Sequence, residues 1–196
     1  KDVDVFVTEA LFTTITNVNF DEERIDGLIR KAGQMRDRAK KLYEDACRKT
    51  GKTPETLGGP ATVAIPATRD AMMTEAAKHG VAAGEEKWGE VVQGLRYLIL
   101  LGLKGSAAYI DHAHVLGFDD EAIYGFFHDF MDFLSSDSYT VDGLVGRAMD
   151  AGKWNIAVME LLDRANTTSY GHPEPTKVRV TPVKGKAILV SGHDLK

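Results

Sequence analysis

The segment between residues 86 and 116 most constrains how this chain can fold. Trp88, Val91, Leu95, Leu98, Ile99, Leu103, Ala107, Ile110 and Ala113 recur at helical spacing and leave few polar positions in its middle. A helix that is apolar most of the way round is stable only when other helices surround it, so this segment predicts the buried centre of a bundle. Gly102, Gly105, Ser106 and Ala107 are small and would let neighbouring helices approach closely. The longest unbroken apolar run, Leu98 to Leu103, lies between Arg96 and Lys104. It is far short of the roughly 20 residues that span a bilayer.

The flanking sequence supplies candidate partners. Val3, Phe6, Val7, Ala10, Leu11 and Ile15 predict a helix over 2–16, broken by Asn17 to Phe20. Asp21 is a plausible N-cap, with Glu22 and Glu23 in the favoured first turn. Ile25, Leu28, Ala32, Met35, Ala39, Leu42 and Ala46 then repeat at 3,4 spacing, which predicts a long helix over 21–49 with a bundle or coiled-coil seam. The Gly- and Pro-rich stretch 50–66 reads as a loop crossing the surface between two helical units. A helix over 68–79 ends at Gly80, and Asp119 is expected to cap a helix over 120–134 with a Phe126, Phe127, Phe130 and Phe133 stripe. Thr140 caps a short helix carrying Val141 to Met149, and a further helix covers 152–168. Residues 86–168 thus read as one antiparallel bundle.

The pattern changes after Tyr170. Gly171-His172-Pro173-Glu174-Pro175 cannot be helical. Val178-Arg179-Val180 alternates, and Ala187 to Val190 is a continuous run that fits a buried parallel strand. The expected fold class is mainly α: helical bundles followed by the first strand or strands of an α/β domain. The expected units are 1–85, 86–176 and 177–196.

Length and composition limit the functional classes. A chain of 196 residues exceeds the usual size of about 150 for one domain and can bury a real core. Hydrophobic residues at 43% and charged residues at 27% place it among globular chains. A net charge of −5 argues against nucleic acid or an anionic membrane as a general partner. Cys47 is the only cysteine, which excludes a disulfide framework and any zinc or iron–sulfur site built mainly from this chain's cysteines. The acidic start Lys1-Asp2-Val3-Asp4 lacks a signal-peptide core, so the expected location is cytoplasmic. Both ends read as cut from something longer.

Several residues could carry chemistry. Ser191-Gly192-His193-Asp194 follows the expected strand directly, and ligands of open α/β sheets bind at strand carboxyl ends. A di-iron bundle would need Glu-x-x-His pairs. The nearest matches are Asp111-x-x-His114 and Asp129-x-x-Asp132, beside His128, and they read better as solvated polar faces. Cys47 lies beside Arg48 and Lys49 near the end of the expected helix, and such a cysteine is more often structural than reactive. No Gly-x-Gly-x-x-Gly or Walker A motif offers a phosphate cradle.

Two stretches carry a family likeness. One is Ala10-Leu-Phe-Thr-Thr-Ile-Thr-Asn-Val-Asn-Phe20. The other runs from Gly102-Leu-Lys-Gly-Ser-Ala-Ala-Tyr109 through Asp111-His-Ala-His-Val-Leu-Gly117 and Glu160 to Lys177, and on to Ile188-Leu-Val-Ser-Gly-His-Asp-Leu-Lys196. The sequence resembles the hybrid cluster (prismane) family of hydroxylamine reductases over nearly its whole length, the loop at 50–66 excepted. The resemblance implies an N-terminal region of two three-helix-bundle-like units, followed by α/β domains. It implies reduction of hydroxylamine to ammonia and water, with nitric oxide reduction also attributed to the family. Implied cofactors are a hybrid iron–sulfur–oxygen cluster and a second iron–sulfur cluster. Implied partners are the small-molecule substrate, an electron-donor protein and the remainder of the same polypeptide.

One ligand carries over: in the Ser-Gly-His-Asp-Leu motif the histidine, His193 here, binds an iron of the hybrid cluster. Imidazole is a suitable iron ligand. The family's N-terminal cysteine motif and its downstream cysteine and glutamate ligands are missing from this sequence. The expectation is therefore that this chain alone binds no cluster and is inactive. The competing reading is a freestanding helical interaction module without catalysis.

Overall fold

The computed structural model describes residues 1–15, 20–136 and 138–189. Seven α-helices are present among them: α1 (Asp2–Thr13), α2 (Glu22–Lys49), α3 (Arg69–Ala76), α4 (Glu85–Trp88), α5 (Glu90–Val115), α6 (Glu121–Leu134) and α7 (Val141–Tyr170). The fold is mainly α, as the apolar periodicity predicts.

Helix α5 is the centre. Ile99, Leu103, Ala107, Ile110 and Ala113 advance by three or four residues and are all essentially inaccessible to water. They meet Leu144, Ala151, Val158, Leu161 and Ala165 of α7, together with Ile123, Phe126, Phe127 and Phe130 of α6. Leu11 of α1 belongs to the same cluster, so α1 packs on α5 and α2 lies outside it against α1. Small side chains set the α5–α7 spacing: a Cβ built at Gly102 would stand 3.9 Å from that of Ala151. The buried Ser106 hydroxyl spans the same seam and donates to Asn155 Oδ1 at 3.0 Å. Within the core the Phe126 ring stacks on Trp154 at 5.2 Å and meets Phe130 edge-on at 4.6 Å.

Several helix ends follow the capping signals in the sequence. Asp21 accepts from the Arg24 amide at 3.0 Å, and Thr140 from the Gly143 amide at 3.1 Å. Two boundaries differ. Gly89, with φ +79, separates Trp88 from α5, so the helix expected from 86 begins at Glu90. The expected break between 149 and 152 does not occur, and α7 runs unbroken from Val141 to Tyr170. Gly152 costs a helix interior only about 1 kcal/mol against alanine. Burial of Leu144, Ala151 and Val158 along one stripe outweighs it.

The Gly- and Pro-rich loop turns back along α2. Arg30 Nη2 donates to the Ala67 carbonyl at 2.8 Å, and Arg36 Nη1 donates to that of Val63. The Tyr43 hydroxyl accepts from the Glu55 amide at 3.1 Å. Gly33 gives Ile65 its place, since a Cβ there would stand 2.9 Å from Ile65 Cγ1. Arg69 then ties the start of α3 to Glu22 at 2.6 Å and Asp26 at 2.9 Å. The expected seam on α2 is only half covered, with Ala32, Met35 and Ala39 lining a 410 Å³ groove against Val3, Phe6 and Val7.

The expected strands are not formed among the described residues. Val178, Val180, Ile188 and Leu189 are exposed, and residues 177–189 adopt no regular structure. A strand needs a neighbour to take its backbone hydrogen bonds, and nothing in the helical assembly offers an edge.

Truncating Phe127 to alanine is expected to destabilise the chain by about 3–5 kcal/mol, and Leu103→Ala by about 2–5 kcal/mol. Urea denaturation followed by circular dichroism measures both. Thr140→Ala should cost only about 1 kcal/mol by the same assay.

Candidate functional site

The best-organised polar cluster joins the start of α1 to the α5–α6 corner. Helix α5 ends in a Schellman motif: the Phe118 amide donates to the Ala113 carbonyl at 2.9 Å and the Gly117 amide to His114 at 2.8 Å. Gly117 has φ +84, which this termination requires. The turn delivers Asp119 between three donors. Tyr124 Oη donates to Asp119 Oδ1 at 2.6 Å, and His114 Nδ1 lies 2.7 Å from the same oxygen. Lys1 Nζ donates to Oδ2 at 2.6 Å. Asp119 is therefore not the cap expected from the sequence. Asp120 is, accepting from the Ala122 amide at 2.8 Å and the Ile123 amide at 3.3 Å.

Burial pushes the Asp119 carboxyl up, but the bonds from Lys1, Tyr124 and His114 outweigh that and hold its pKa at about 2. The Tyr124 hydroxyl is raised by burial and by the Asp119 carboxylate that it donates to, so it remains a donor. A permanently charged acceptor among three donors suits a joint between helices. General acid–base work near neutrality needs a group that titrates there.

A second cluster closes the opposite end of α5. The Arg96 guanidinium lies 3.8 Å from the Trp88 ring centroid and 5.0 Å from that of Tyr139. It donates to Gln93 Oε1 at 2.7 Å and to the Leu134 carbonyl at 3.1 Å, and Tyr139 Oη reaches that carbonyl at 2.7 Å. Gln93 Nε2 continues the chain to the Val81 carbonyl at 2.7 Å. Arg96 thus joins α4, α5 and the end of α6.

The residues singled out from the sequence do not converge. His193 lies outside the described residues. His114 faces Asp119, and His128 Nε2 pairs with Asp4 Oδ1 at 2.8 Å on an exposed edge. Asp129 pairs with Arg147 at 2.5 Å. Cys47 is buried near the end of α2. Among the described residues no group of three or more His, Cys, Asp or Glu side chains could hold a metal ion. An iron–sulfur cluster needs several thiolate or imidazole donors converging. The donor set among the described residues does not fit one. Among the described residues no helix is long and apolar enough to cross a membrane. The Asp119 cluster was missed in the sequence because its donors come from positions 1, 114 and 124. The only available signal was the second acid beside the true cap.

Fold and polar clusters together define a helical bundle whose two best-organised polar clusters lie at the ends of α5. The family model described as Prismane/CO dehydrogenase family matches residues 1–196, and the chain belongs to that family. It is similar to the hydroxylamine reductases of Acidithiobacillus ferrooxidans (45% identical) and of Acidiphilium cryptum and Burkholderia lata (46% each), over 195 residues in every case. The match takes in 100% of this chain but spans only 35% of the length of each relative.

Asp119→Asn is expected to destabilise the chain by about 1–3 kcal/mol near neutral pH, because the buried Tyr124 hydroxyl and the half-buried His114 lose a charged acceptor. The folded carboxyl titrates at about 2, below the unfolded value of about 3.9. Its stabilisation is therefore complete above the unfolded value and is lost as pH falls through the folded one. The gap between native and variant should shrink progressively on acidification, as measured by urea midpoints across a pH series.

Proposed function

We propose that these residues are the helical scaffold of a hydroxylamine reductase. The observation that carries this reading is identity of 44–46% along the whole chain to hydroxylamine reductases of which the chain spans 35%. The reaction consumes two electrons and two protons: hydroxylamine loses its N–O bond, the nitrogen leaves as ammonia and the oxygen as water. The electrons come from a donor protein. Nitric oxide is a second candidate substrate, and the enzyme is taken to act in the cytoplasm. Family membership supports a hybrid iron–sulfur–oxygen cluster and a second iron–sulfur cluster in the full-length protein.

Within that protein the roles divide. Residues 1–85 and 86–176 form helical units, and 177–196 open an α/β domain whose sheet would pair the exposed Val178–Val180 and Ala187–Leu189 segments. His193, in the Ser-Gly-His-Asp-Leu motif at the end of that stretch, is assigned as one ligand to an iron of the hybrid cluster. The Asp119 and Arg96 clusters brace the two ends of α5 within the helical scaffold.

Intact mass and iron content of the protein from its native source test the reading together. A chain much heavier than 21.4 kDa with several irons is expected. A mass near 21.4 kDa without iron would make the chain a freestanding helical module. In the full-length protein, His193→Ala should lower both iron content and the rate of ammonia formation from hydroxylamine with a low-potential dye as donor. Unchanged iron would remove His193 from the ligand set.

A further inference from the structure

Among the described residues the α5–α7 pair is covered on one side by α1 and α6 and left open on the other. On the open side Leu98, Gly102, Gly105 and Tyr109 of α5 face Met149 and Gly152 of α7 across a groove of 460 Å³. Both rows follow the 3,4 spacing of a helix-packing seam. The apolar members stand in water: Leu98 is 57% exposed, Met149 65%, and Ile156, one turn beyond Gly152, 55%. Ser106 meets Asn155 on its floor, and none of the lining side chains is charged. A Cβ at Gly105 would meet nothing within 4 Å, and one at Gly102 would meet only Ala151. Nothing among the described residues asks for glycine at position 105, and glycine weakens a helix interior. An element lying close against α5 would ask for it.

We infer that this glycine-lined α5–α7 groove is a docking surface for the remainder of the same polypeptide, which packs a helix or an extended segment into it. The inference rests on the chain being part of a longer hydroxylamine reductase-like protein. The relatives supply the occupant: the chain spans 35% of each, so the larger part of such a polypeptide lies outside it. The groove is almost uncharged, which suits an apolar segment held permanently and not a charged partner that comes and goes.

Hydroxyl-radical labelling of the full-length protein, read by mass spectrometry at each methionine, tests this independently of activity. Met149 should label as slowly as Met72, which is buried within this chain at 7% exposure. Rapid labelling of Met149 in a chain shown by its mass to be full length overturns the docking surface and leaves the proposed function standing. A mass near 21.4 kDa removes both. Protection that disappears on dilution would make the occupant a second copy and also overturns the inference. Gly105→Leu in the full-length protein should lower the thermal midpoint, while Gly125→Leu, equally unobstructed on α6, should not. Equal shifts in the two variants, or an unchanged or raised midpoint for Gly105→Leu, count against an element packed on the groove.

Discussion

The close approach of α5 and α7 along their alanine and glycine residues organises the molecule. Ala107, Ala113, Ala151 and Ala165 are all buried in the shared core, and Gly102 comes within contact distance of Ala151. Small residues bring the two backbones together, and the larger side chains, Leu103, Ile110, Leu144 and Val158, fill the space on either side. Close-packed interiors leave little room for adjustment, so the position of one long helix fixes that of the other. The phenylalanines of α6 and Leu11 of α1 then close one side of the core, the other remaining open among the described residues.

Polar joints pin the ends of this assembly. Asp119 gathers donors from three parts of the chain at one end of α5, and Arg96 spans aromatic rings and a helix-terminal carbonyl at the other. Helix α2 depends on different interactions. Only Gly33 and Cys47 are buried along its length, and the returning loop is held by arginine and tyrosine hydrogen bonds to backbone. Such a layer opens more readily than the α5–α7 core, because few apolar contacts back its exposed hydrogen bonds.

Ionic joints at both ends of α5 and an apolar groove left open among the described residues characterise this helical part of a Prismane/CO dehydrogenase family chain. The chain spans 35% of the length of relatives that are 45–46% identical to it.

Much of this was legible in the sequence, because helices declare themselves by period and by caps. The apolar stripe of α5, the seam of α2 and the caps at Asp21 and Thr140 are local patterns, set by residues three or four positions apart. The resemblance that named the family likewise lay in contiguous motifs. Tertiary structure decided the rest, wherever the outcome turned on partners distant in sequence. Gly152 stays within α7 because α5 buries its neighbours. Asp119 is a joint and not a cap because Lys1, His114 and Tyr124 surround it. Val178–Val180 remains without a strand because sheet hydrogen bonds require a second strand, which periodicity along one segment does not supply.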